Sequence, residues 1–188
     1  YPIHRIITAP LPKSFYMNEQ LCSAQEKERP VGILVAPTHR WEDKIPPLTS
    51  MLAGLTLQAR INDPMVRVYH SKHPDTQDAP LNEAVKIFSG NWDEIDILIT
   101  DYSSIGDDFL NAGGGLVIYY IADRDEFELH QGKGLFISAS ISAGTACNNF
   151  DELCQTLNDF LSSADQKITK EFTHPNYYNY LAKKHLKN

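Results

Sequence analysis

The sequence predicts an α/β fold, an open and mostly parallel β-sheet with helices on both faces. Two observations carry that prediction. Short, nearly continuous apolar runs, "VGILVA", "DILIT" and "GLVIYYI", read as strands buried on both sides, as parallel sheets require. Stretches with apolar residues at helical spacing lie between and after them, so strands and helices alternate along the chain.

Taken in order, "VGILVAPTHR" gives a strand over 31–36 that breaks at Pro37 into a polar loop. "PLTSMLAGLTLQARI" places Leu48, Leu52, Leu55 and Ile61 at helical intervals. "MVRVYHSKHP" alternates β-favouring and polar residues and stops at Pro74, which predicts a second strand. "PLNEAVKIF" reads as a short connection or strand. "WDEIDILITD" divides into a helical turn over 92–95 and a strand over 96–100. "SIGDDFLNAG" follows as a helix with serines at its start and glycine at its end. "GLVIYYI" is another buried strand. "NFDELCQTLNDFLSSA" is a helix capped by Asn149, with Leu153, Leu157, Phe160 and Leu161 on one face. "NYYNYLAKKHLKN" reads as a terminal helix, and residues 17–28 as the most mobile segment. This succession is Rossmann-like, and ligands of such sheets bind at the carboxyl ends of the strands.

A length of 188 residues suits one domain, or one lobe of a larger enzyme. With 42% hydrophobic and 22% charged residues the chain can bury a core and remain soluble. No apolar run approaches the roughly 20 residues that span a bilayer, and no signal-peptide pattern opens the chain, so a cytoplasmic location is expected. The formal charge of −7 argues against a nucleic-acid partner and leaves room for a small anionic ligand held by local cations and helix N-termini. Cys22, Cys147 and Cys154 form no disulfide framework and read as reduced thiols. Because the first residue is Tyr1, the chain reads as a fragment: a lead-in over 1–30, then one lobe over 31–188.

Three strand ends carry polar residues, "APTHR", "HSKHP" and "TDYSS", and a doubly wound sheet brings such loops to one edge. Ser103 and Ser104 lie where a helix begins. Free N–H groups and hydroxyls there can hold a phosphate, or one serine simply caps the helix. Asp101 would repel a phosphate, so it reads as a partner for a ribose hydroxyl, an orienting group or a cap. Asp107 and Asp108 occupy a first turn, where the helix dipole favours carboxylates, and the solvated reading is stronger for Asp107. His70 and His73 lack a third ligand at zinc spacing; as imidazoles they are candidate general bases, or structural residues. Arg40 is either a bidentate phosphate clamp or a surface arginine. Lys133, between glycines in "GKGLF", has the same two readings. Trp41, Tyr119 and Tyr120 read as packing residues. The basic terminal "YLAKKHLKN" reads first as a solvated helix end and second as a contact for anionic lipid.

Together these motifs resemble the CDP-glycerol glycerophosphotransferase family of teichoic-acid and capsule polymer synthesis. "APTHR" at 36–40 is similar to the family's "APTWR"-like strand end, and His73-Pro74 to its "HP". "DILITDYSS" at 96–104, followed by Asp108-Phe109, resembles its most specific signature. Asp123, Phe127 and "KGLF" resemble its downstream acid, aromatic and "RGF"-like turn, and "AGTACNNFDELCQTL" its closing segment. The likeness covers about 31–161. Departures are His39 for tryptophan, Lys133 for arginine, and three glycines at 113–115. The resemblance implies one lobe of a two-lobed GT-B enzyme, the donor-nucleotide lobe, with the N-terminal acceptor lobe absent from this chain. It implies attack of an acceptor hydroxyl on the β-phosphate of CDP-glycerol with CMP expelled, and neither metal nor further cofactor. His73 would be catalytic; Ser103, Ser104, Arg40 and Lys133 would bind donor phosphate; Thr38, Asp101, Asp108 and Asp123 would contact nucleotide or glycerol. The partners implied are a polymer or lipid-linked acceptor, with peripheral association at the inner membrane face. The same residues leave open a nucleotide-sugar glycosyltransferase or epimerase lobe, and a non-catalytic nucleotide-binding module.

Overall fold

A computed structural model describes residues 29–40, 45–53, 65–71, 84–131 and 144–164. The described chain runs β1 (Val31–Ala36), α1 (Pro47–Ala53), β2 (Val66–His70), β3 (Lys86–Ile87), a 3-10 turn (Trp92–Glu94) and β4 (Ile97–Thr100). It continues through α2 (Ile105–Asn111), β5 (Leu116–Tyr120), α3 (Arg124–Gln131), β6 (Thr145–Cys147) and α4 (Phe150–Ala164). The strands form one sheet in the order β3-β2-β1-β4-β5-β6, and every pairing is parallel. The expected open Rossmann-like sheet is therefore present. Its order reverses between β1 and β4, which lie side by side with Ile33 opposite Ile97 and Ala36 opposite Thr100.

The apolar runs are continuous because both sheet faces are covered. Ile33 and Val35 of β1, with Ile97, Ile99 and Ile118, face one core that includes Leu48 of α1 and Leu153 and Leu157 of α4. Leu34 and Ala36, with Leu98, Val117 and Tyr119, face a second core that includes Phe109 of α2 and Trp92 of the 3-10 turn. The crossover from β1 thus packs on one face and the crossover from β4 on the other. That change of side is what leaves the carboxyl ends of β1 and β4 open to a ligand in doubly wound sheets.

Local signals set the helix ends. Asn149 Oδ1 accepts the Glu152 N–H at 2.9 Å, and the Glu152 carboxylate accepts from Asn148 N at 2.7 Å and from the Asn149 amide at 2.7 Å. This is a reciprocal N-cap of the capping-box kind. At the end of α2, Gly113 has φ of +85° and donates to Leu110 O, while Gly114 N donates to Phe109 O. That pair of bonds is a Schellman stop, which favours glycine at its left-handed position. The glycine at the helix end thus does what the sequence suggested. Two elements were not foreseen, α3 and β6. Part of the helix read beyond residue 53, residues 17–28 and the terminal helix lie outside the described residues.

At the amino edge, Asp96 fastens the start of β4 to β1. Its carboxylate accepts from Gly32 N at 2.8 Å and from both Arg29 terminal nitrogens at 2.7 and 2.9 Å. Gly32 must be small, because a Cβ there would meet Glu94 O at 1.6 Å. Cys147 and Cys154 are buried thiols outside any disulfide. No helix among the described residues is long and apolar enough to cross a membrane.

Candidate functional site

Three loops meet at the carboxyl edge of the sheet: 37–40 after β1, 101–104 after β4 and 121–123 after β5. Thr100 ties the first two together at their root, its hydroxyl donating to Ala36 O at 2.6 Å. Just beyond, the Asp101 carboxylate is the acceptor for both loops. Its Oδ1 takes the Thr38 N–H at 2.8 Å, the Thr38 hydroxyl at 2.6 Å and the Tyr102 N–H at 2.7 Å.

Arg40 completes the network from inside. Its Nη2 donates to Asp101 Oδ2 at 2.8 Å, its Nε to Asp123 Oδ2 at 2.9 Å and its Nη1 to Thr38 O at 2.7 Å. The guanidinium carbon lies 5.2 Å from the Tyr102 ring centre and 5.0 Å from that of Phe127, within cation–π range of both. Those two rings stack on each other with centres 3.8 Å apart, and Tyr102 Oη donates to Asp123 Oδ1 at 2.9 Å.

The electrostatics follow from burial. The side chains of Arg40 and Asp101 are 2% and 1% exposed, and that of Asp123 is 15% exposed. Burial opposes the charge on Arg40, but Asp101 and Asp123 outweigh it and hold its pKa above the ordinary value. Burial pushes the Asp101 carboxyl up, against the pull of Arg40 and the Thr38 donors. Burial and the neighbouring Asp123 push the Tyr102 phenol well up, so it stays a neutral donor. Removing one partner of such a pair strands a buried charge, at a cost of about 3–5 kcal/mol.

Arg40, read from sequence as a phosphate clamp or a surface arginine, donates from Nε, Nη1 and Nη2 to protein oxygens, and almost none of it is exposed. Thr38 and Asp101, expected at nucleotide or glycerol, spend their side-chain groups largely on each other and on Arg40. Asp101 thus joins the loops after β1 and β4.

Ser103 and Ser104 stand where the sequence put them, immediately before α2. Ser104 is the N-cap residue, is exposed, and makes no side-chain capping bond. Ser103 Oγ accepts the Ile105 N–H at a long 3.3 Å. Asp108 is buried in the first turn of α2, and its N–H donates to Ser104 O at 3.1 Å. His70 closes β2 as a buried residue, in keeping with a packing role. His73 and Lys133 lie outside the described residues. Sequence reasoning missed Tyr102 as the lid over Arg40. Its position inside "TDYSS" was the available signal.

Fold and site define a class first: a doubly wound, Rossmann-like α/β protein whose polar loops gather where the strand order reverses. Sequence comparison makes it particular. The profile of the CDP-glycerol:poly(glycerophosphate) glycerophosphotransferase family matches residues 15–180, and the chain belongs to that family. Among solved structures it is similar to the wall teichoic acid polymerase TagF, at 17% identity over 94% of this chain and 49% of that one, with a TM-score of 0.47. A variant of TagF is similar at 19% identity, over 94% and 48% of the two chains, with a TM-score of 0.47. A variant soaked with CDPG is similar at 18% identity, over 93% and 47%, with a TM-score of 0.45. The chain spans about half the length of these structures. No curated protein matches it by sequence.

Proposed function

We propose that this chain supplies the donor-nucleotide lobe for transfer of glycerol phosphate from CDP-glycerol to a cell-surface polymer or its lipid-linked primer. The observation that carries this reading is the "TDYSS" turn of a glycerophosphotransferase-family chain, set at the carboxyl end of β4 beside the point where the strand order reverses. Exposed Ser104, its neighbour Ser103 and the backbone N–H groups at the start of α2 form a donor-rich surface suited to a pyrophosphate. Asp108 and Asp123 are assigned to the nucleotide or glycerol, and Lys133 to the donor phosphates.

In the reaction an acceptor hydroxyl oxygen attacks the β-phosphorus. The new phosphoester bond forms as the bond to the bridging oxygen breaks, and CMP leaves with the electron pair. His73 takes the hydroxyl proton. Charge stabilisation and alignment supply most of the rate in such transfers, and no cofactor beyond the donor is invoked. A lipid-linked acceptor would put the work at the cytoplasmic face of the membrane, with peripheral association there.

The test uses the full-length natural protein and follows acceptor-dependent CMP release from CDP-glycerol. His73→Ala should depress turnover far more than His70→Ala, and the Ser103→Ala/Ser104→Ala variant should weaken donor binding by at least fivefold, each lost bond to charged oxygen being worth about 1.5–3 kcal/mol. Absence of CMP release by the wild type, or unchanged donor affinity in the double variant, would overturn the proposal.

A further inference from the structure

The geometry points to Arg40 as the positioning residue of the donor site: it sets the Ser103–Ser104 turn without touching the donor. This rests on the reading of that turn as the phosphate-binding element. The Arg40 guanidinium has little left to offer a ligand. Its edge is taken by four oxygens from three separate loops, Thr38 O, Asp101 Oδ2 and both carboxylate oxygens of Asp123. Tyr102 and Phe127 stack with each other and both lie within cation–π range of it. A side chain 2% exposed under such cover has no approach for a phosphate.

Arg40 nevertheless bears directly on that phosphate site. Asp101 is two residues before Ser103, and Tyr102 lies between them. Asp101 is held by Arg40 and Thr38, while Tyr102 is held by its hydroxyl bond to Asp123 and its contact with Phe127. The turn thus leaves the sheet with the residues before it fixed on both sides: the Arg40 guanidinium bonds both carboxylates, and Tyr102 bonds the same two through its N–H and its hydroxyl. A planar, forked cation can bridge two carboxylates and a carbonyl at once; an ammonium reaches them only as a point charge.

A double-mutant cycle on CDP and CDP-glycerol affinity, measured by titration of the full-length natural protein, tests this. Arg40→Lys and Asp123→Asn are each combined with Ser103→Ala/Ser104→Ala, and each protein is melted in parallel. Asp123→Asn preserves shape at a partly exposed position, so it decides the matter should Arg40→Lys fail to fold.

Positioning predicts that either single change weakens CDP and CDP-glycerol alike by about tenfold, and by less than about twofold once both serines are alanine. Additive losses in the cycle would overturn it, whether because Arg40 binds phosphate itself or because it serves only global stability. A rise in CDP affinity in Asp123→Asn would also overturn it, since that is what a freed guanidinium and a lost negative charge would give. A wild-type protein that binds neither CDP nor CDP-glycerol would overturn the donor-site reading and this inference together.

Discussion

Replacing Gly106 with alanine tests how α2, and with it the Ser103–Ser104 turn, is seated on the sheet. A Cβ at 106 would lie 2.3 Å from Tyr119 Oη, 2.8 Å from its Cζ and 2.9 Å from its Cε1, where ordinary contact begins near 3.4 Å. The ring has little room to retreat. Tyr119 is 1% exposed, and on its other edge the Gly144 backbone is so close that a Cβ there would meet Cε2 at 2.7 Å. The helix must therefore move by about 1 Å, or the ring must leave its rotamer. Overpacking of this kind costs about 1–3 kcal/mol. In a chain of this size each kcal/mol moves the melting temperature by about 2–4 °C, so Gly106→Ala should melt about 2–12 °C below the wild type. Adding Tyr119→Phe removes the nearest atom and should restore part of the loss. The assay is thermal denaturation followed by circular dichroism. A Gly106→Ala protein melting within 1 °C of the wild type would refute this seating of α2.

Three further outcomes follow from the same contacts. Asn149→Ala removes the acceptor for the Glu152 N–H and should cost about 0.5–2 kcal/mol in urea denaturation, whereas no change would mean that α4 does not depend on its cap. Ser104→Ala should alter the melting temperature by less than about 1 °C, because the hydroxyl makes no capping bond, even though donor affinity falls; a large drop in melting would show a structural role instead. Glu94 is held below the ordinary carboxyl value of 4.5 by bonds from Tyr69 Oη and the Asn91 amide. A carboxyl lowered by folding stabilises the fold above its ordinary value and loses that contribution as pH falls through the lowered one. Glu94→Gln should therefore cost more stability at pH 7 than at about pH 3, and an equal cost at both would contradict the assignment.

Much of the fold was legible because its strands are buried on both faces. β1, β4 and β5 appear as unbroken apolar runs since Ile33 and Leu34, neighbours in the chain, serve opposite cores. α4 announced itself through Asn149, Glu152 and the buried Leu153 and Leu157. α3 gave no such signal. In "RDEFELHQ" the apolar residues are Phe127 and Leu129, and Leu129 is 79% exposed, so no stripe forms. β6, three residues at a sheet edge, is too short for any pattern. At the site, the position of the serines was legible because a polar turn follows a buried strand. The fate of Arg40 was not, because its partners Asp101 and Asp123 lie 61 and 83 residues away and only the strand order β1-β4-β5 brings them together.

The central claim is that this chain carries the donor-nucleotide site, and calorimetric titration of the chain itself tests it most directly. CDP-glycerol, CMP, UDP and UDP-sugars would each be titrated into the wild type and into Ser103→Ala/Ser104→Ala. The account predicts saturable binding of CDP-glycerol and CMP, weaker or undetectable binding of the uridine nucleotides, and a loss of at least fivefold for CDP-glycerol in the double variant. Binding of no cytidine nucleotide, or a CDP-glycerol affinity indifferent to both serines, would contradict it.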